Sequence, residues 1–177
     1  QKALPGAPID EALKKFKRAY PSAASLGSGV PAYGADALRF TLASYSPQSK
    51  RIPLSLKKIE GYRHFCNKLW NATRFALPYL EGAKLGSTPP AATSLSNRWI
   101  LSRLAQTIAA AKQGIDDFRL DDTTQALYRF VWNELCDWYL ELSKPVYAGS
   151  DEAAKQEARD VLAYALEASL RMLHPFI

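Results

Sequence analysis

The stretch KRIPLSLKKIEGYRHFCNKLWNATR, residues 50–74, decides how this chain is read. Within it and just beyond, Ile59, Tyr62, Phe65, Cys66, Leu69, Trp70 and Phe75 recur near a period of 3.6, which predicts a helix over residues 56–77 with these side chains toward a core. The polar residues carry a second pattern. Arg63, Asn67, Asn71 and Arg74 fall at i, i+4, i+8 and i+11 and line up as one stripe. Seven basic residues stand in this segment against Glu60 alone, a net +6, and the whole chain is also +6. The basicity is therefore confined to one helix and its approach, as in an electrostatic footprint for nucleic acid. A solvated helix face is the competing reading. The mixture of donors and acceptors suits nucleic acid, and on the residues alone both readings stand. Arginine holds phosphate bidentately or stacks on bases, and asparagine matches the edge of an unpaired base.

Outward from this helix the chain reads as all-α. Residues 8–20 place Ile9, Leu13, Phe16 and Tyr20 at helical spacing, and residues 21–32, rich in Ser, Ala, Gly and Pro, read as a flexible connection. A helix is expected over residues 36–45, with Asp36 and Arg39 three apart and placed to pair in a structural role. Pro47 and Pro53 break the chain before the basic helix. Residues 96–118 predict a scaffold helix with Ile100, Leu104, Ile108, Ala111, Ile115 and Phe118 on its apolar face. The following helix should open with a capping-box spacing at Asp122 and Gln125 and stop at Pro145. Its apolar residues nearly encircle it, which makes Trp132 and Trp138 core residues. Arg129, Asn133, Asp137 and Glu141 form its polar strip, placed to hydrogen-bond to the basic helix. A last helix starts near Ser150 or Asp151 and sends Val161, Leu162, Ala165, Leu166, Ser169, Leu170 and Leu173 inward.

Several chemistries find no support. No Walker-type or Rossmann-type glycine loop occurs. Cys66 and Cys136 make neither a disulfide framework nor a zinc site and suit small apolar positions in helices. His64 and His174 are too few and too isolated for a metal centre, so no metal and no catalytic residue is expected. No apolar run approaches the roughly 18–20 residues that span a bilayer, and no signal-peptide pattern is present, which makes a cytoplasmic location the default.

The wording of several stretches goes further. YGADALRFTLA, EGYRHFCNKLWNATRF, NRWILSRL, FRLDDTTQALYRFVWNELCDWYLELSKP and VLAYALEASLRMLHPF together resemble the valyl-tRNA synthetases, a class I aminoacyl-tRNA ligase family. Isoleucyl and leucyl enzymes share a looser version. The resemblance implies an antiparallel helix bundle of the class I synthetase anticodon-binding type over residues 56–177, truncated at its C-terminus. Residues 1–55 would form a linker and stem-contact region. The HIGH-like and KMSKS-like sequences that bind ATP are missing, so the chain looks like an inactive fragment without cofactor, whose parent uses ATP and Mg2+. Where the family often has a Gly-Arg-Asp-Ile-like turn, this chain has Ser49, Lys50, Arg51 and Ile52. The implied partners are the tRNA(Val) anticodon stem-loop and the remaining domains of the ligase, in a monomer without membrane association. Arg63, Asn67, Lys68, Asn71 and Arg74 are the expected RNA-binding residues, joined by Lys144 and by Tyr147, a candidate base-stacking ring at the corner that lies near the anticodon loop in relatives. Asp36, Arg39, Trp132, Asp137 and Trp138 are expected to be structural. A scaffold bundle that docks on protein instead of RNA is the alternative.

Overall fold

The computed structural model describes residues 31–45, 52 and 54–177, together with positions 11, 14, 15 and 18. Two compact units are present, Gln1–Tyr33 and Gly34–Ile177. In the first, Glu11, Lys14, Lys15 and Arg18 are helical, and Lys15 pairs with Glu11 at 2.9 Å. The rest of the expected 8–20 helix and the 21–30 connection lie outside the described residues, as do Lys50 and Arg51 and, apart from Ile52, the proline-bounded break.

The regular elements of the second unit are all helical among its described residues, and an irregular connection runs over residues 80–94. Helix α1 (Ala35–Ala43) follows Gly34, whose φ of 91° falls in the left-handed region that glycine tolerates. It buries Ala37, Phe40 and Thr41. Helix α2 (Leu56–Ala76) is capped by Ser55, whose hydroxyl accepts from the Lys58 amide at 3.3 Å, and ends in a 3₁₀ turn, Leu77–Tyr79, at Pro78. Phe40 of α1 packs on Tyr62 and Phe65 of α2 with ring centroids 4.7 and 5.1 Å apart. Burying each such side chain contributes roughly 1.5–3 kcal/mol. The expected Asp36–Arg39 pair does not form. Arg39 instead donates to the Pro175 carbonyl at 3.1 Å and so ties α1 to the end of the chain.

Helix α3 (Leu95–Asp116), capped by Ser94, buries Asn97, Ile100, Leu104, Thr107, Ala111 and Gly114. Ile108, Ile115 and Phe118, expected on the core face, are exposed. The three-to-four spacing of the buried set turns that face toward small and hydroxylic residues, because the next helix, α4 (Leu120–Arg129), crosses close to the end of α3. A side chain at Gly114 would clash with Thr123 Oγ1 and lie 3.0 Å from the Arg119 carbonyl oxygen. The return through Asp117, Phe118 and Arg119 leads antiparallel into α4 (Leu120–Arg129), which continues as a π-helical segment (Phe130–Tyr139) and then as α5 (Leu140–Ala148). Arg119 is the N-cap residue, without a side-chain cap, and its guanidinium pairs with Asp121 and Asp122 at 3.0 and 3.1 Å. That arrangement replaces the expected capping box, because the helix is capped three residues earlier, at Arg119 and not at Asp122. Pro145 does not end the helix either. It sits in the last turn, where its ring removes one amide donor and the chain stays helical to Ala148.

The π segment accounts for a further correction. At about 100° per residue, Leu127, Val131, Leu135, Trp138 and Leu142 would share the core face. Bonding from i to i+5 widens each turn, and over ten residues the side chains lag by roughly half a turn. Buried residues then come in pairs: Phe130 with Val131, Leu135 with Cys136, Tyr139 with Leu140. Trp138 is rotated outward and is 62% exposed, and Leu142 follows it. Trp132 keeps an inner position, stacked on Tyr128 at 5.5 Å.

Helix α6 (Glu152–Leu173) is capped by Asp151, which accepts from the Ala153 and Ala154 amides at 3.0 and 3.1 Å. It buries Val161, Leu162, Ala165, Leu166, Ser169 and Leu173 as expected, while Leu170 is partly exposed. The fold is thus all-α. No helix among the described residues is long and apolar enough to cross a membrane.

Candidate nucleic-acid interface

The core side of α2 is set by Phe65, Leu69, Ala72 and Ala76, all buried. Helical geometry therefore aims residues on the opposite side, Arg63, Asn67 and Arg74, directly into solvent, with Asn71 flanking them. All four are exposed, and none makes a hydrogen bond or ion pair among the described residues. Their side chains project in one row from a helix anchored along its other face, without a partner among the described residues. Sequence reasoning missed one member of this face. Trp70, expected in the core, lies at i+7 from Arg63 and is 69% exposed. Its spacing from Arg63 and Arg74 was the available signal, masked by its apolar character.

Lys68 faces the other way, toward the π segment. Its ammonium is hydrogen-bonded to Asp137 and lies 4.1 Å from the centroid of the Trp132 ring. Of the polar strip on the long helix, Asp137 is the residue that reaches α2 in this way. Glu141 pairs instead with Lys144, at 2.6 Å, and Lys144 also lies 5.3 Å above Phe75. Arg129 and Asn133 stay exposed and border a cavity of about 710 Å3 beside Gly61 and Tyr62 of α2.

At the lower end of α2, Phe75, Tyr79 and Tyr147 form an aromatic cluster: Phe75 and Tyr79 at 5.3 Å, Tyr79 and Tyr147 stacked at 4.4 Å. One face of Tyr147 is thus covered by Tyr79. Its hydroxyl is buried without a partner among the described residues, and burial pushes its pKa up to about 12. Cys136 is buried and Cys66 half-buried, both free, and burial raises both thiols, Cys136 to about 11. Such thiols are poor nucleophiles and poor metal ligands at neutral pH. No group of three His, Cys, Asp or Glu side chains converges as a metal site among the described residues.

A polar network absent from the sequence reading ties α3 and α6 to the π segment. Glu157 of α6 accepts from the Thr93 and Ser94 amides, each at 3.0 Å, and from Asn97 Nδ2 at 2.8 Å. Asn97 Oδ1 in turn accepts from the Tyr139 hydroxyl at 2.7 Å. Partial burial by itself would raise the Glu157 pKa. The hydrogen bonds from Thr93, Asn97 and the two amides outweigh it and hold the carboxyl at about 2. Arg103 adds a bidentate bridge to Glu134, at 2.8 and 2.6 Å, between α3 and the π segment.

Comparison with known proteins agrees with this architecture. Residues 97–177 match the family described as the anticodon-binding domain of tRNA ligase. The chain is 50% identical over 148 residues to the valine–tRNA ligase of Rhizobium meliloti (strain 1021), a match covering 84% of this chain and 16% of the relative. It is 46% identical over 151 residues to that of Laribacter hongkongensis (strain HLHK9), with 84% and 16% covered, and 50% identical over 147 residues to that of Stenotrophomonas maltophilia (strain K279a), with 83% and 16% covered. It therefore spans about 16% of the length of the curated relatives it matches. With an all-helical bundle and about 50% identity in hand, the chain belongs to the valine–tRNA ligase family and represents its anticodon-binding domain.

Proposed function

We propose that the α2 face of this domain binds the anticodon stem-loop of tRNA(Val) and positions the tRNA for ATP-dependent aminoacylation by the catalytic part of a longer valine–tRNA ligase. The observation that carries the reading is the row of Arg63, Asn67, Asn71 and Arg74, exposed and unpartnered on the side of α2 opposite the core. Burial of the other face fixes the backbone from which these groups project, so the ordering cost of binding is confined to the side chains themselves. Arg63 and Arg74 would hold phosphates. Asn67 and Asn71 would meet the edges of splayed loop bases. Lys68 adds positive potential from the flank while it braces α2 against Asp137. Lys144 and Tyr147 would extend the surface around the aromatic cluster.

In this reading residues 56–177 are the anticodon-binding bundle, and residues 1–55 serve as linker and stem contact. Trp132 and Asp137 hold Lys68. Arg39 fastens α1 to the chain end, and Asp36 stands in the first turn of α1, where a carboxylate complements the helix dipole. ATP and Mg2+ would act in the catalytic part of the ligase, in the cytoplasm and in a monomer.

The test is a titration of the chain with the tRNA(Val) anticodon stem-loop and with one altered at the central anticodon base, followed by intrinsic tryptophan fluorescence. Tighter binding of the unaltered loop, weakened by Asn67→Ala and Asn71→Ala, is the expected result. Equal binding of both loops would reduce the face to a backbone-binding surface. No binding by the folded chain would leave the protein-docking scaffold.

A further inference from the structure

We infer that Trp70 is a base-stacking platform on which an unpaired nucleotide of the bound RNA lies, an inference that rests on the RNA-binding reading above. Trp70 stands in one row with Arg63, Asn67 and Arg74, at i, i+4, i+7 and i+11, and it is 69% exposed. Large aromatic side chains are normally the most buried part of a fold. This one has no ring stacked on it and no cation above it among the described residues, although the same helix supplies Phe65, Leu69, Ala72 and Ala76 to the core. Its neighbours decide what it suits. A protein-docking patch needs contiguous apolar surface. Along this row the Trp is preceded by Asn67 and followed by Arg74, with Asn71 beside it, all without partners among the described residues. A flat π surface flanked by amide and guanidinium groups fits a nucleobase: the indole takes the face, the asparagines meet the edge, and the arginines meet the phosphates on either side. Because α2 is anchored along its opposite face, the indole stands on a rigid element.

The experiment uses the whole chain and the tRNA(Val) anticodon stem-loop with 2-aminopurine placed at each unpaired loop position in turn. Stacking on Trp70 quenches the 2-aminopurine at one position. Trp70→Phe should retain that quenching and most of the affinity. Trp70→Leu should abolish the quenching and weaken binding about ten-fold, with unchanged circular dichroism. Arg63→Ala should weaken binding yet leave the quenching in place. If Leu perturbs the helix, Trp70→Gln gives the same comparison with a residue suited to exposure. Unchanged affinity and quenching in Trp70→Leu or Trp70→Gln would overturn the stacking inference while leaving RNA binding intact. Failure of the wild-type chain to bind any of the loops would overturn the RNA reading and the inference with it.

Discussion

At the scale of single residues, Gly114 and Glu157 carry the clearest consequences. Gly114 lies where α4 crosses α3, and a Cβ there would meet Thr123 Oγ1 and the Arg119 carbonyl oxygen. Gly114→Ala should destabilise the bundle by about 1–3 kcal/mol, despite the better helix propensity of alanine, read from the urea midpoint. Glu157 makes a pH-dependent contribution. Its folded pKa of about 2 lies below the ordinary glutamate value of about 4.5, so the stabilisation is full above about 4.5 and is lost as pH falls toward 2. In that window the unfolded chain binds a proton that the folded chain does not, so stability rises with pH. Glu157→Gln should therefore flatten the stability profile between about pH 5 and about pH 3 relative to wild type, as measured by denaturant titration at each pH.

At the scale of the element, the long helix from Leu120 to Ala148 is governed by its π segment. With α-helical winding, Trp138 would point to the core, and its truncation would cost about 3–5 kcal/mol, the usual figure for a buried aromatic. With the observed winding Trp138 is outside, so Trp138→Ala should cost under about 1 kcal/mol, whereas Leu135→Ala should cost about 2–5 kcal/mol. Equilibrium unfolding of the two variants separates the windings. Tyr139 is the counterpart inside: its hydroxyl is bound by Asn97 and burial raises its pKa far above the ordinary tyrosine value. Tyr139→Phe removes the donor to Asn97 Oδ1 and should cost about 1–2 kcal/mol. Long helices that depart from α winding are hard to read from sequence, because hydrophobic periodicity assumes a constant rotation per residue. Here that assumption fails after Arg129, and the positions that were misplaced, Trp138 and Leu142, lie at its end.

At the scale of the whole molecule, the net positive charge is concentrated on α2 and the residues that lead into it, and the back of α2 is fastened to the core. RNA affinity should accordingly fall with salt as counterions are released. Three to four phosphate contacts predict a slope of log K against log salt of roughly −2 to −3, at about −0.7 per phosphate on single-stranded RNA. Replacing both Arg63 and Arg74 by alanine should flatten that slope by roughly one to one and a half, which filter binding across a salt series would register. Lys68→Ala should act differently. It breaks the Asp137 pair and the contact with Trp132, so its effect should appear in the stability of the chain as well as in RNA affinity. The α1 contacts reach from Phe40 to Phe176 and from Arg39 to Pro175, so the two ends of the described unit support one core.

Sequence by itself determined the helical class, most helix positions and the row of Arg63, Asn67, Asn71 and Arg74, because periodic burial and side-chain spacing are local properties of a regular helix. The wording of residues 60–75 and 128–145 also carried the family. Tertiary structure alone decided which face of a helix with many apolar residues turns inward. It exposed Trp70 and Trp138, turned Ile108 and Ile115 out of the α3 face, and gave Lys68 to Asp137 and Arg39 to Pro175. The same holds for Glu157, which stands 60 residues from Asn97 in the chain and 2.8 Å from it in space. Such outcomes depend on close approaches between distant segments, where volume, hydrogen-bond partners and helix winding are settled together.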